Sequence, residues 1–186
     1  MKENVPNLIN GCRKNDNKSQ HQLFELFLPY TTSICKRYLR DKSFLKDAVQ
    51  QTFLLVFKGI NKSYDEQKGD FKSWIRKIAI NCSLKFNERY QNFTEIDNEI
   101  GTERYQIKAS AFQQISNKEI LQLIDLIPVA YRIVFNLYAI DGYSHKEITQ
   151  LLNISEESSR KKLQRARTFL KKNLGLAEKI NLIKIG

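Results

Sequence analysis

Residues 142–174 read GYSHKEITQLLNISEESSRKKLQRARTFLKKNL, and this stretch decides the fold. Ser144-His145-Lys146-Glu147 has the form of a capping box, in which the serine caps the start of a helix and the glutamate three residues on reaches back to it. Ile148, Leu151 and Leu152 follow at i, i+3, i+4 spacing, an apolar stripe on one helical face. Asn153 can leave that helix in the left-handed conformation. Ser155 is placed to cap a second helix whose first turn holds Glu156 and Glu157, where carboxylates suit the helix dipole. The second helix offers few residues for burial: Leu163, Ala166, Phe169 and Leu170. Its other faces carry Arg160, Lys161, Lys162, Arg165, Arg167, Lys171 and Lys172. This predicts a helix-turn-helix whose second helix enters the DNA major groove, with cations to neutralise the phosphates on both walls. The plainer reading is a basic, solvated helix at a chain end; turn, caps and charge together favour DNA.

The rest of the chain fits that reading. Its 186 residues suffice for one domain or two small ones, and with 41% hydrophobic and 27% charged residues it reads as globular and soluble. A net charge of +11 and a pI near 9.6 point to an anionic partner, nucleic acid before membrane. No apolar run is long enough to span a bilayer and the start, MKENVPNLING, is too polar for a secretion signal, so a cytoplasmic chain without membrane insertion is expected. Cys12, Cys35 and Cys82 are odd in number and far apart, which suits reduced thiols rather than a disulfide framework. Seven glycines and three prolines, with almost no strand-like alternation, predict an all-α protein: two small helical domains joined by a flexible linker, the C-terminal one a helix-turn-helix.

Taken in order, residues 1–18 are polar and predict a loose start with one helical turn. From Ser19, Leu23, Phe24, Phe27, Ile34, Cys35, Tyr38 and Leu39 recur at helical spacing, with Pro29 placed to kink or divide the helix. Asp41 or Ser43 can cap the next helix, FLKDAVQQTFLLVFKG, which turns Leu45, Ala48, Val49, Thr52, Phe53 and Val56 inward. Asp47, Gln50, Gln51 and Leu54 lie on its other faces. That is either an ordinary polar side or a docking face, since Leu54 sits beside glutamines where charge is usual. Residues 61–70, NKSYDEQKGD, form a loop ending in Asp70, a cap for FKSWIRKIAINCSLKFNERY. Phe71, Trp74, Ile75, Ile78, Cys82 and Phe86 make its apolar stripe. Lys77, Asn81, Lys85 and Arg89 form a separate row at i+4 steps, bordered by Arg76 and Lys72. The row fits a phosphate track with one base-reading amide, and equally a solvated basic face. Tyr64, Phe71 and Trp74 are candidates for stacking on unpaired bases, though Trp74 also fits the core. Residues 92–115 read as the linker. Ser116-Asn117-Lys118-Glu119 is a second capping box, and Pro128 opens PVAYRIVFNLYAI at its first-turn position. Residues 175–186 are a short amphipathic tail.

Together these stretches resemble the sigma-70 family of bacterial transcription initiation factors, specifically the small extracytoplasmic-function (ECF) type. DAVQQTFLLVFKGI is similar to the family's core-polymerase-binding helix, and FKSWIRKIAIN to the segment at the downstream promoter element. IPVAYRIVFNLYAIDGYSHKEITQLLNISEESSRKKLQRAR is similar to its C-terminal module. The resemblance implies a region 2-like domain over 19–91 and a region 4-like domain over 116–174. It implies core RNA polymerase and promoter DNA as partners, an anti-sigma factor as a further one, and no cofactor. It places Asp47, Gln50, Phe53 and the neighbouring Leu54 at the polymerase. Asn81 matches a position near the base flipped out of the −10 element, with Trp74 before it on the same helix and Tyr64, Arg76, Lys77, Lys85 and Arg89 around it. For the −35 duplex, Arg160, Lys161 and Gln164 match positions that point into the groove, while Lys162, Arg165 and Arg167 would meet phosphates and Ser158 would keep a hydroxyl contact. Many relatives carry Gly-Thr where this chain has Glu157-Ser158, so Glu157 must turn away from phosphate or accept from a cytosine.

Two other function classes leave testable marks. A polymerase-independent helix-turn-helix regulator needs a dimer seam and a palindromic target, and no heptad seam is visible. A metal-dependent nuclease needs clustered carboxylates; the only acidic cluster beside the aromatics is Asp65, Glu66 and Asp70, in a loop with no histidine. His21 and His145 are far apart in sequence, and His145 reads as a polar first-turn residue.

Overall fold

A computed structural model of the chain describes residues 5–89 and 124–174, which fall in two compact units, 1–92 and 93–186. All regular structure in the described residues is helical.

Among the described residues, the first unit contains four α-helices: α1 (Val5–Arg13), α2 (Asn17–Tyr38), α3 (Leu45–Gly59) and α4 (Phe71–Arg89). The start of the chain holds more helix than the single turn expected. Leu8, Ile9 and Cys12 of α1 are buried against α2, because those positions share one helical face. Asn15 at φ 59 reverses the chain, and Asp16 caps α2 by accepting from Ser19 N. Pro29 neither divides nor ends α2, which continues for 22 residues. It lies on an exposed face, where the carbonyl left without a donor can be solvated. At the other end, Asn87 of α4 donates to Tyr38 O (2.9 Å) and accepts from Arg40 N (3.0 Å), so one side-chain amide satisfies backbone that the end of α2 leaves open.

α3 buries Ala48, Val49, Thr52, Phe53 and Val56, the inward face expected of it. Of the two candidate caps, Asp41 acts, accepting from Ser43 N at the 3₁₀ turn Lys42–Phe44 that precedes α3. Asp70 caps α4 through Ser73 N (2.8 Å), as its position predicted. The bond to the Ser73 hydroxyl, with that to Ser73 N, holds the Asp70 carboxyl below its ordinary range. Beyond the expected stripe, α4 also buries Ala79, Ile80, Ser83 and Leu84, since it packs against both α2 and α3. Two buried hydroxyls are satisfied within their own helices: Thr52 Oγ1 to Ala48 O (2.7 Å) and Ser83 Oγ to Ala79 O (2.8 Å). The three cysteines are buried and form no disulfide. Burial, with Asp16 nearby, pushes the Cys12 thiol up to about 11, the condition of an unreactive core thiol.

The second unit contains α5 (Val129–Phe135), α6 (His145–Leu152) and α7 (Glu156–Leu174). Pro128 stands one residue earlier than expected: it is the N-cap, at φ −50 and ψ 136. Arg132, only 6% exposed, ties down the turn before it by donating to Asp125 O (2.6 Å). α5 does not run straight to Asp141. Residues Asn136–Ile140 form a π turn closed by Asp141 N to Asn136 O at 2.9 Å, and Gly142 at φ +75 then releases the chain. The decisive stretch folds as read. Both arms of the Ser144–Glu147 capping box are present, and Asn153 ends α6 in the left-handed region at φ 51. Ser155 Oγ accepts from Ser158 N (3.1 Å) to start α7. The expected capping box at Ser116 and the 92–115 and 175–186 segments lie outside the described residues.

Candidate nucleic-acid interface

α7 presents its cations on two flanks and an outer face. Ser159, Leu163, Ala166 and Leu170 are buried, a narrow stripe that leaves Arg160, Lys161, Gln164, Arg165 and Arg167 exposed and Ser158 and Lys162 half-buried. On one flank, Tyr131 of α5 is a platform. Its hydroxyl accepts from Arg165 Nη1 (3.1 Å), and its ring lies 5.6 Å from the Arg165 guanidinium carbon and 6.0 Å from Lys162 Nζ. On the other flank, Arg167 sits 5.9 Å over Tyr138, which stacks on His145 (centroids 4.6 Å, planes at 25°). His145 Nδ1 meets the buried Ser159 Oγ at 2.9 Å. His145 is therefore more than a first-turn polar residue: it ties α6 to α7 and supports the tyrosine beneath a cation. Burial, then Arg160, hold its pKa below the ordinary 6.5. Sequence reasoning missed both tyrosine platforms. The available signal was their seven-residue spacing in PVAYRIVFNLYAI, just ahead of a cationic helix.

Two groove candidates are held by acids one turn back: Arg160 Nη2 to Glu156 Oε2 at 2.9 Å and Lys161 Nζ to Glu157 Oε1 at 2.6 Å. Exposed i,i+4 pairs of this kind are screened by water and weaker than a good contact to a guanine edge, so they orient the cations without locking them. Glu157 is turned toward Lys161, whose ammonium lowers its pKa.

In the first unit, Lys77, Asn81 and Lys85 are exposed on α4, while Arg76 and Trp74 are half-buried. Arg76 Nε donates to Tyr30 OH (2.8 Å) and Lys72 lies 4.8 Å from the same ring centre. The Arg89 side chain lies outside the described residues. Asn81 and Lys85 line a concavity of about 460 Å³ whose other polar walls are Lys58, Lys62 and Ser63. The lysines at 58 and 62 come from α3 and its loop, and were absent from the predicted set because their separation in sequence hides their convergence.

Tyr64 requires a correction. It is 9% exposed, packed 5.2 Å from both Phe71 and Trp74, and leaves little ring to stack on a base. Phe71, at 4%, is likewise core. Phe53 also differs from a surface contact: at 3% exposure, 4.6 Å from Phe24, it is the floor of an apolar groove of about 900 Å³ between α2 and α3. Gln50 and Leu54 line that groove and Asp47 does not. Leu54 is 47% exposed.

The acidic loop cluster is occupied structurally. Asp65 caps the 3₁₀ turn Glu66–Lys68, Asp70 caps α4, and Glu66 pairs with Arg13 (3.2 Å). Among the described residues no three His, Cys, Asp or Glu side chains converge as a metal site, and no helix is long and apolar enough to cross a membrane.

The profile of Sigma-70 region 2 matches residues 23–91 and that of Sigma-70, region 4, matches residues 117–170. The chain belongs to the sigma-70 family. It is 27% identical over 152 residues to the ECF RNA polymerase sigma factor SigM of Bacillus subtilis, covering 81% of this chain and 91% of that one. It is 25% identical over 176 residues to the ECF RNA polymerase sigma-E factor of Escherichia coli K12, covering 86% and 88%. Its fold is similar to that of the sigma factor RpoE, solved in complex with the anti-sigma factor NepR from Bartonella quintana, with a TM-score of 0.51 at 15% identity over 85% of this chain and 98% of that one. The two matched regions and these relatives make the chain a promoter-specificity subunit of RNA polymerase of the ECF type.

Proposed function

We propose that the two units divide promoter recognition between unpaired and paired DNA. The concavity beside Asn81 receives one base of the opened −10 strand: the carboxamide offers donors and an acceptor to a base edge, while Lys58, Lys62 and Lys85 hold the flanking phosphates and Lys77 extends the track. Its volume lies within the range of small-ligand sites, and this recess flanked by cations is the observation that carries the reading. Capturing an unstacked base offsets the few kcal/mol that unstacking costs. Arg76 and Trp74 support α4 from the side, and Arg89 continues the basic row in sequence.

In the second unit, Arg160, Lys161 and Gln164 read the −35 duplex. Lys162 and Arg165 on the Tyr131 side and Arg167 on the Tyr138 side contact the two phosphate walls, with Ser158 adding a hydroxyl. Core RNA polymerase docks on α3 through Asp47, Gln50 and Leu54, with Phe53 as the floor of the groove beside them. The chain supplies positioning and strand capture, and polymerase supplies the chemistry. The relative solved with an anti-sigma factor supports regulation of the same kind here, and work on polymerase places the chain in the cytoplasm.

The test is a pull-down against bacterial core RNA polymerase followed by transcription from genomic DNA of the source. A stoichiometric complex with discrete start sites is expected, and the mapped starts define both promoter elements. A chain that ignores polymerase yet shifts duplex DNA at physiological salt is instead a polymerase-independent regulator.

A further inference from the structure

The geometry points to Arg13, at the end of α1, as a positioning residue for the strand-capturing site. This rests on the reading of Asn81 given above. Three residues of the 61–70 loop converge on Arg13 from about fifty positions away in sequence. Asn61 Nδ2 donates to the Arg13 carbonyl (3.2 Å). The guanidinium carbon lies 5.9 Å from the centre of the Tyr64 ring. Nη1 donates to Glu66 Oε1 (3.2 Å) and, at 3.4 Å, to Asn10 on its own helix.

Between the first two of those anchors stand Lys62 and Ser63, which line the concavity with Asn81 and Lys85. Few contacts among the described residues hold the 61–64 part of that loop. Residues 61–63 and 66–70 are exposed, and the fastenings of that wall other than Arg13 are the bonds of 62–64 to Gly59 O and the packing of Tyr64 on Phe71 and Trp74. An exposed backbone segment with few contacts opens locally at small cost. One residue at the end of a packed helix holds both sides of Lys62-Ser63, Asn61 through its backbone carbonyl and Tyr64 through its guanidinium, and so narrows the conformations that wall can take. α1 itself is held by Leu8, Ile9 and Cys12, so removing the Arg13 charge leaves its packing intact. A sequence reading finds no reason for an N-terminal arginine to affect a site built on α3 and α4.

The experiment uses the full chain bound to core RNA polymerase, on a promoter whose start site the wild-type chain defines. Open-complex yield is read by permanganate footprinting of unpaired thymines, beside polymerase affinity and the chain's melting temperature. Arg13→Glu and Glu66→Arg are each expected to lower the yield roughly three- to ten-fold, the scale of one exposed ion pair plus one cation–π contact, with affinity and melting unchanged. The double exchange Arg13→Glu/Glu66→Arg restores the pair with reversed sign and should return the yield to within about two-fold of wild type on the same scale. Wild-type yield from both single variants, a double variant no better than the worse single, or a loss that follows melting or polymerase affinity overturns the role of Arg13. Normal opening by Asn81→Ala in the same assay overturns the underlying site instead.

Discussion

α4 and α7 are both 19 residues long, both basic, and both carry proposed DNA-reading side chains, yet they are built in opposite ways. α4 packs against two helices, and residues on several of its faces, from Ile75 through Ala79 and Ile80 to Leu84, are buried. Its exposed row, Lys77, Asn81 and Lys85, is narrow, and part of it borders a recess. α7 also packs against two helices, α5 and α6, but it buries only one narrow stripe, and its cations rest on tyrosines or on acids of its own first turn. The difference teaches what each form of DNA demands. A base out of its stack needs a hollow with rigid walls, which requires a helix sunk in a core. A duplex groove needs a ridge, which requires a helix that buries only a narrow stripe.

The comparison breaks most readily through the cores. Ile80→Ala, at a position with no exposed surface, should cost the first unit about 2–5 kcal/mol in denaturant unfolding, whereas Lys161→Ala on the outer face of α7 should stay within about 0.5 kcal/mol. Equal costs would mean that the two helices are not differently embedded. Next in size, Asn81→Ala should reduce promoter opening by roughly ten- to a hundred-fold, the equivalent of about 1–3 kcal/mol for contacts to one base, while polymerase pull-down is unchanged. On a template already unpaired at −10 the defect should persist, because the contact is to the single strand.

Two substitutions on α7 then sharpen the contrast between reading and holding. Arg160→Ala should weaken −35 binding by about 1–3 kcal/mol and relax preference at one base pair. Arg165→Ala, which removes the cation on Tyr131, should weaken all sequences alike and lower the salt-dependence slope by about 1. Binding of a randomised −35 duplex at two salt concentrations separates them; a loss of sequence preference in the second variant would exchange their roles.

The smallest effect concerns pH. Burial, Arg160 and Arg167 depress the His145 pKa, with Glu156 opposing, and Tyr138 stacks on its ring. A depressed folded-state value means that the unfolded chain binds the proton first, so His145 contributes stability that is present above about 6.5 and lost as pH falls below it. The second unit should become less stable toward acid, and His145→Gln should flatten that part of the profile in pH-dependent thermal melts.

Much of this was legible in the sequence because the signals are local. A capping box spans four residues, a left-handed asparagine one, and the period of an amphipathic helix a dozen, so α6, the turn and α7 could be drawn from residues 142–174 alone. The row Lys77, Asn81, Lys85 was visible for the same reason: i+4 spacing puts side chains on one line whatever the rest of the chain does. Core and surface were harder to separate. Tyr64 reads as a loop aromatic beside cations, and only the approach of Phe71 and Trp74 shows that it is buried. Phe53 was assigned both an inward face and a contact role, and it lies at the bottom of a groove because α2 brings Phe24 over it.

Sequence by itself determined that the chain is helical, that its second unit is a helix-turn-helix, which family it belongs to, and which helical lines carry the cations. Each of these depends on neighbours within a turn or two of helix. Tertiary structure alone decided that Lys58 and Lys62 join Asn81 and Lys85 around one recess, that Tyr131 and Tyr138 support the flanks of α7, and that Arg13 closes on a loop about fifty residues away. Those meetings depend on how helices pack, which is set by the summed burial of many apolar side chains, and no short stretch of residues encodes that sum.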